Sequence, residues 1–161
     1  MKKLIAYKTQ NLTSNQIIDQ FIKGVSKYTN QWTTDILDIN DFLKKGLPKQ
    51  TDAIVVHGIL RGTGLAIKEA IRKKIDYFYI DHAYFNAGYK NEFWNRVSKN
   101  KHTMNYLKDV DELRWNSIKK DIKIEPWKKQ KNRGDNILII PPTHAIQWFF
   151  NDKEWYKNLI L

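Results

Sequence analysis

"AIVVHGILRGTGLAIKEAIRKK", residues 53–74, decides how this chain is read. The run "DAIVVHGI" (52–59) is apolar and rich in β-branched residues, without polar alternation. That is the pattern of a strand covered on both faces. It ends at His57-Gly58, and glycines at 58, 62 and 64 surround Arg61 before the helix-like "GLAIKEAIRKKI" begins. Strand, glycine-rich turn and helix together predict a strand–helix unit of a parallel sheet.

The flanking sequence repeats this grammar. "KLIAYK" (3–8) predicts a first strand. In 14–28, Ile17, Ile18, Phe21, Ile22 and Val25 recur at helical spacing, with Ser14 expected as N-cap. "TDILDI" (34–39) predicts a second strand, and "NDFLKKGLP" a turn broken by Gly46 and Pro48. "DYFYIDHAYF" predicts another strand, ending at Asp81-His82. The expected fold is therefore α/β, a Rossmann-like, doubly wound, mostly parallel sheet. Ligands of such sheets sit beyond the carboxyl ends of the strands, where both His57-Gly58 and Asp81-His82 fall.

Beyond residue 85 the pattern weakens. Residues 91–100 suit a strand or an irregular segment, 104–120 a helix, and "DIKIEPW" an extended stretch. "KKQKNRGDN" is polar and basic, like a hinge. A strand (136–140), a Pro141-Pro142 turn and an aromatic helix then restart the α/β grammar. The expected organisation is an α/β domain over 1–127, a basic hinge over 128–135 and a strand–helix extension over 136–161 that begins a truncated second domain.

Composition narrows the functional classes. With 42% hydrophobic residues in 161, one ordinary core can form. Cysteine is absent, which excludes disulfides, thiolate metal sites and a cysteine nucleophile. The apolar run before Lys8 is only four residues long, Leu4–Tyr7, so the basic start does not read as a signal peptide. No apolar run reaches the length of a membrane span. The expected location is cytoplasmic. The formal charge is +11, and residues 86–134 hold thirteen basic and six acidic residues. This basic region suits DNA or RNA; equally, 23 Lys against 5 Arg suits an AT-rich base composition.

Four constellations bear on chemistry. In "HGILRGTG" (57–64), glycines let the backbone approach a ligand, and free N–H groups at Thr63 or Gly64 would favour an anion, with Arg61 adding a two-pronged contact. The spacing is neither a P-loop nor a dinucleotide fingerprint, and such turns also arise for steric reasons. In "YIDHAYF", Asp81 or His82 could serve as a general base. Neighbours on a strand face opposite sides, so one acts while the other anchors, and Asp81 is a partner for His57 or Arg61. In "PPTH", Thr143 is an N-cap and His144 could meet an anion, or the segment is a rigid connection. Trp94, Arg96, Lys99, Lys101, Trp115, Trp127 and Lys128 mix aromatics with cations, suiting a nucleic acid or sugar, or a second packed layer. The four histidines lack close metal-ligand spacing, and there is no Asp-x-Asp pair, so no metal is expected.

The order "VVHGILRGTG", "FYIDHAYF", "WNRVSKN", "ILIIPPT" resembles uncharacterised phage and bacterial proteins that look like glycosyltransferases of the two-Rossmann (GT-B) type. Similar members have a Gly-Ile-x-Arg-Gly loop, an Ile-Asp-His-x-Tyr-Phe strand end, an Arg-x-x-x-Asn segment and a Pro-Pro-Ser/Thr turn. The likeness runs from about residue 50 to 155. It implies that His57, Gly58, Arg61 and Gly62 line the interdomain cleft and that Asp81, His82 and Tyr84 face it. Arg96 and Asn100 would match the basic segment, and Pro141, Pro142 and Thr143 would open the second domain. The implied activity is sugar transfer from a nucleotide-sugar to a hydroxyl acceptor, with Asp81 or His82 as base and Arg61 and Arg96 balancing charge. Only one strand and one helix of the second domain follow, so the expectation extends to one part of a split enzyme, completed by a homo- or hetero-oligomer. Two alternatives stand beside it: a basic nucleic-acid-binding phage accessory module using residues 86–134, and an inactive structural or interaction subunit.

Overall fold

The computed structural model describes residues 1–83, 94–102, 112–121, 140–151, 154 and 157. It divides into two compact units, Met1–Met104 and Asn105–Leu161. The expected hinge, 128–135, lies outside the described residues.

The first unit runs β1 (Lys2–Lys8), α1 (Leu12–Tyr28), β2 (Trp32–Asp38), α2 (Ile39–Lys45), β3 (Ala53–His57), α3 (Thr63–Arg72), β4 (Asp76–His82) and β5 (Asn95–Lys99). The strands form one sheet in the order β2-β1-β3-β4-β5. The first four are parallel, and β5 pairs antiparallel with β4. This is an α/β fold with a mixed, mostly parallel sheet.

Both central strands read as unbroken apolar runs because both of their faces are covered. Leu4, Ile5, Ala6 and Tyr7 of β1 and Ala53, Ile54, Val55 and Val56 of β3 are all buried. The path leaves β1 for β2 through α1, then crosses back to β3 through α2 and on to β4 through α3. Right-handed crossovers in opposite directions place α1 on one face and α2 and α3 on the other. Accordingly, Leu4, Ala6, Ala53, Val55 and Ile80 pack against Ile17, Ile18 and Ile22 of α1. Burial of each isoleucine stabilises by roughly 1.5–3 kcal/mol. On the opposite face, Tyr7 meets Phe42 of α2 edge-on, with ring centroids 5.8 Å apart.

Two local expectations are corrected and one ambiguity is resolved. The cap of α1 is Asn11, whose side chain accepts from Ser14 N at 2.9 Å, so the helix starts before Ser14. The stretch after β2 is helix α2, capped by Asp38 and ended by Gly46, where a turn was expected. Its two buried residues, Ile39 and Phe42, are apolar and sit three apart, which is helical spacing compressed into two turns. Residues 95–99 are strand, resolving the ambiguity of 91–100.

In the second unit, the described elements are α4 (Glu112–Ile118), a 3₁₀ turn (Lys119–Asp121) and α5 (His144–Phe150). Thr143 caps α5, its hydroxyl accepting from Ile146 N at 3.4 Å, as the sequence suggested. The expected strand over 136–140 lies outside the described residues except for Ile140, which is not in a strand.

Candidate functional site

The strand order reverses between β1 and β3, whose connections leave in opposite directions. A crevice opens at the carboxyl ends of such a pair. On the β1 side, side-chain hydrogen bonds set this end of the sheet. Thr9 and Asn15 exchange two bonds, Thr9 N to Asn15 Oδ1 at 3.0 Å and Asn15 Nδ2 to Thr9 O at 2.9 Å. Thr9 Oγ1 accepts from Asn11 N at 3.2 Å. These bonds set the first turn of α1, and Ser14 on that turn is buried. Its hydroxyl lies 3.0 Å from Nδ1 of His57, the last residue of β3. One hydrogen bond thus spans the point of reversal.

His82 ends β4 on the same face, because His57 pairs with Ile80 and side chains alternate along a strand. The two imidazoles meet edge-on, with centroids 5.9 Å apart. Burial pushes the His57 pKa below its usual value; His82 and, to a smaller extent, Arg61 push the same way, while Asp81 opposes. His57 is therefore a neutral imidazole at pH 7. Its Nε2 is buried and has no hydrogen-bond partner among the described residues.

Asp81 faces the other side of the sheet, since β4 continues through His82. Its carboxylate is already engaged. Oδ1 accepts from His82 N at 2.8 Å, and Oδ2 accepts from the Tyr79 hydroxyl at 2.8 Å. Arg96, directly opposite on β5, stands 3.5 Å from Oδ2. The expected pairing of Asp81 with His57 or Arg61 gives way to Tyr79 and Arg96, because the alternation of the pleat puts those groups on its own face. Burial and then the bond to Asp81 hold the Tyr79 phenol well above its usual range. His102 stacks on the Tyr79 ring, with centroids 4.7 Å apart.

The glycine-rich loop is wound tightly on itself. Gly58 has φ 69° and donates to Ile80 O at 2.9 Å, extending the β3–β4 ladder. Thr63 is fully buried, and its single hydroxyl hydrogen is shared between Gly58 O and Leu60 O, at 2.8 and 2.6 Å. Thr63 N and Gly64 N bond to Leu60 O and Ile59 O at 3.3 and 3.2 Å. The two amides considered for an anion are thus turned to loop carbonyls. Arg61, exposed with φ 58°, stands on the outside of this turn.

Of the remaining site residues, Asn100 lies at the other end of the sheet, beside the start of β4. It accepts from Tyr77 N at 2.8 Å and donates to Asp76 Oδ1 at 2.7 Å. Thr143 and His144 belong to the second unit. Tyr84 lies outside the described residues. Ser14 entered the sequence reading only as a helix cap. No local motif marks it, because its partner is 43 residues away.

Among the described residues, no group of three or more His, Asp or Glu is placed to hold a metal, and no helix is long and apolar enough to cross a membrane. An open groove of about 410 Å³ runs between α2 and α3, lined by Phe42, Leu43, Leu65 and Lys68 among others. None of the strand-end residues lines it. No protein-family model matches the sequence, and no curated protein matches it either.

Proposed function

We propose that the first unit is a Rossmann-like, glycosyltransferase-like domain. In this reading the crevice between the ends of β1 and β3 holds a nucleotide-sugar or its hydroxyl acceptor. The Ser14–His57 hydrogen bond across the point of reversal carries it, with His82 beside His57 on the same face. Polar side chains turned inward at the carboxyl end of an otherwise apolar sheet suit a ligand rich in oxygen. The resemblance of the glycine loop and of the Asp81-His82 strand end to the two-Rossmann proteins supports the same choice of ligand.

The step assigned to the crevice is an inverting transfer. The acceptor hydroxyl attacks the anomeric carbon, the bond from that carbon to the phosphate oxygen breaks, and its electron pair leaves with the nucleoside diphosphate. His82 takes the hydroxyl proton. Asp81 is the less suitable base, since both of its oxygens are engaged on the far face. Arg61, at the rim, balances diphosphate charge.

A thermal-shift panel with nucleoside diphosphates, nucleotide-sugars and short DNA tests this. A ligand far above its Kd stabilises by a few kcal/mol, or several degrees. The expected result is a shift with one nucleotide class that survives moderate salt and disappears in His57→Ala and His82→Ala. A shift with DNA alone, fading as salt rises, would instead place function in the basic region over 86–134.

A further inference from the structure

Ser14 is only 5% exposed, and among the described residues its hydroxyl bonds to nothing but His57 Nδ1, at 3.0 Å. A neutral imidazole carries one proton, on either nitrogen, and its tautomer follows from its surroundings. With the proton on Nδ1, the ring donates to Ser14 Oγ. Among the described residues, the buried hydroxyl hydrogen then lacks an acceptor and the buried Nε2 lone pair lacks a donor. With the proton on Nε2, the hydroxyl donates to Nδ1, and Nε2–H alone is left over. Unsatisfied buried polar groups are costly, so the arrangement with one is favoured over the arrangement with two.

We propose that Ser14 is a positioning residue that holds His57 as the Nε2–H tautomer, so that Nε2 can only donate a hydrogen bond, to an oxygen such as that of a phosphate or sugar, and cannot act as a base. The ligand part rests on the crevice reading above; the tautomer part does not. It also separates the two histidines by role: His57 donates to oxygen, and His82 is left to accept the proton.

The test is a two-bond ¹⁵N–¹H correlation spectrum of the full, ligand-free chain at pH 8, where burial keeps His57 neutral. The His57 signals are assigned by their loss in His57→Gln. The expected spectrum has Nε2 at a protonated-type shift and Nδ1 at a lone-pair shift displaced by an accepted hydrogen bond. Ser14→Ala moves Nδ1 toward the free lone-pair value, and Ser14→Thr, which keeps the hydroxyl, restores it. Ser14→Asp, which can only accept, brings the proton to Nδ1, a reversal that a merely structural role would not produce. It also provides the readout should the alanine variant not fold. A proton on Nδ1 in the unsubstituted protein, or an Nδ1 signal unmoved by these substitutions, overturns the proposal. Absence of any nucleotide or sugar shift in the thermal panel overturns the crevice reading and leaves the tautomer result standing.

Discussion

Gly62 and Gly24 show how far apart two glycines of one chain can be. Gly62 sits at φ 90°, and a Cβ there would lie 3.2 Å from Ile39 Cγ1 and Leu43 Cδ1. Left-handed backbone costs a side chain roughly 1–2 kcal/mol even without contacts. Gly62→Ala should therefore lower stability by about 1–3 kcal/mol, read as a drop in the urea midpoint. Gly24 lies inside α1, where an added Cβ meets nothing within 4 Å. Gly24→Ala should raise stability by about 0.5–1 kcal/mol in the same titration. His57 is one residue that makes the fold sensitive to acid. Its pKa is lowered from 6.5, mainly by burial, so below that value the unfolded chain binds the proton more readily than the folded one. Stability is fully present above pH 6.5 and falls as the pH drops through the folded pKa of His57. His102, also lowered mainly by burial, acts in the same direction. The urea midpoint should decline from pH 8 to pH 5, and His57→Gln should flatten part of that decline. Glu69, pulled from 4.5 down to about 2 chiefly by its bond to Arg72, acts only in a separate, more acidic window.

Two asparagines fix local joints between elements, Asn11 at the start of α1 and Asn100 at the end of β5. Asn11 caps α1 and thereby fixes the turn that presents Ser14 to His57. Asn11→Ala should cost about 1 kcal/mol, and because it also loosens Ser14, the His57 Nδ1 signal should broaden with it. Asn100 closes the other end of the sheet. Its backbone is left-handed at φ 57°, its N–H donates to Tyr77 O at 2.9 Å, and its side chain ties Tyr77 N to Asp76. The resemblance placed Asn100 with the ligand residues, but both its side-chain oxygen and its nitrogen are engaged where β5 joins β4. Asn100→Ala should cost about 1–3 kcal/mol in unfolding, since it leaves the Tyr77 N–H without that acceptor. Nucleotide or sugar shifts should be unchanged in Asn100→Gly, which tolerates the backbone but removes the side chain. A lost shift there would return Asn100 to the site.

For the molecule as a whole, the five-stranded sheet and its three helices close within the first unit, Met1–Met104. A fragment of residues 1–104 should therefore unfold in one cooperative step, with far-UV circular dichroism and tryptophan fluorescence giving the same midpoint. Separate midpoints would show that the first unit does not stand alone. The unbroken apolar runs at 4–7 and 53–56, the helical spacing of 17–25 and the turn glycines were enough to read an α/β fold from sequence, because burial on both faces writes itself into adjacent residues. The alternation of Asp81 and His82 was readable for the same reason, since a pleat sends neighbours to opposite faces. Short helix α2 was not readable, because two turns carry too few apolar positions to show a period. Nor were the partners of the site residues. Ser14 reaches His57 across 43 residues, Asp81 meets Arg96 through the register of β4 on β5, and the amides of the glycine loop turn inward to their own carbonyls. Local pattern determines which residues are buried and which chain direction they take; only the order and register of the strands decides which polar groups at their ends meet, because those meetings join residues that no local period connects.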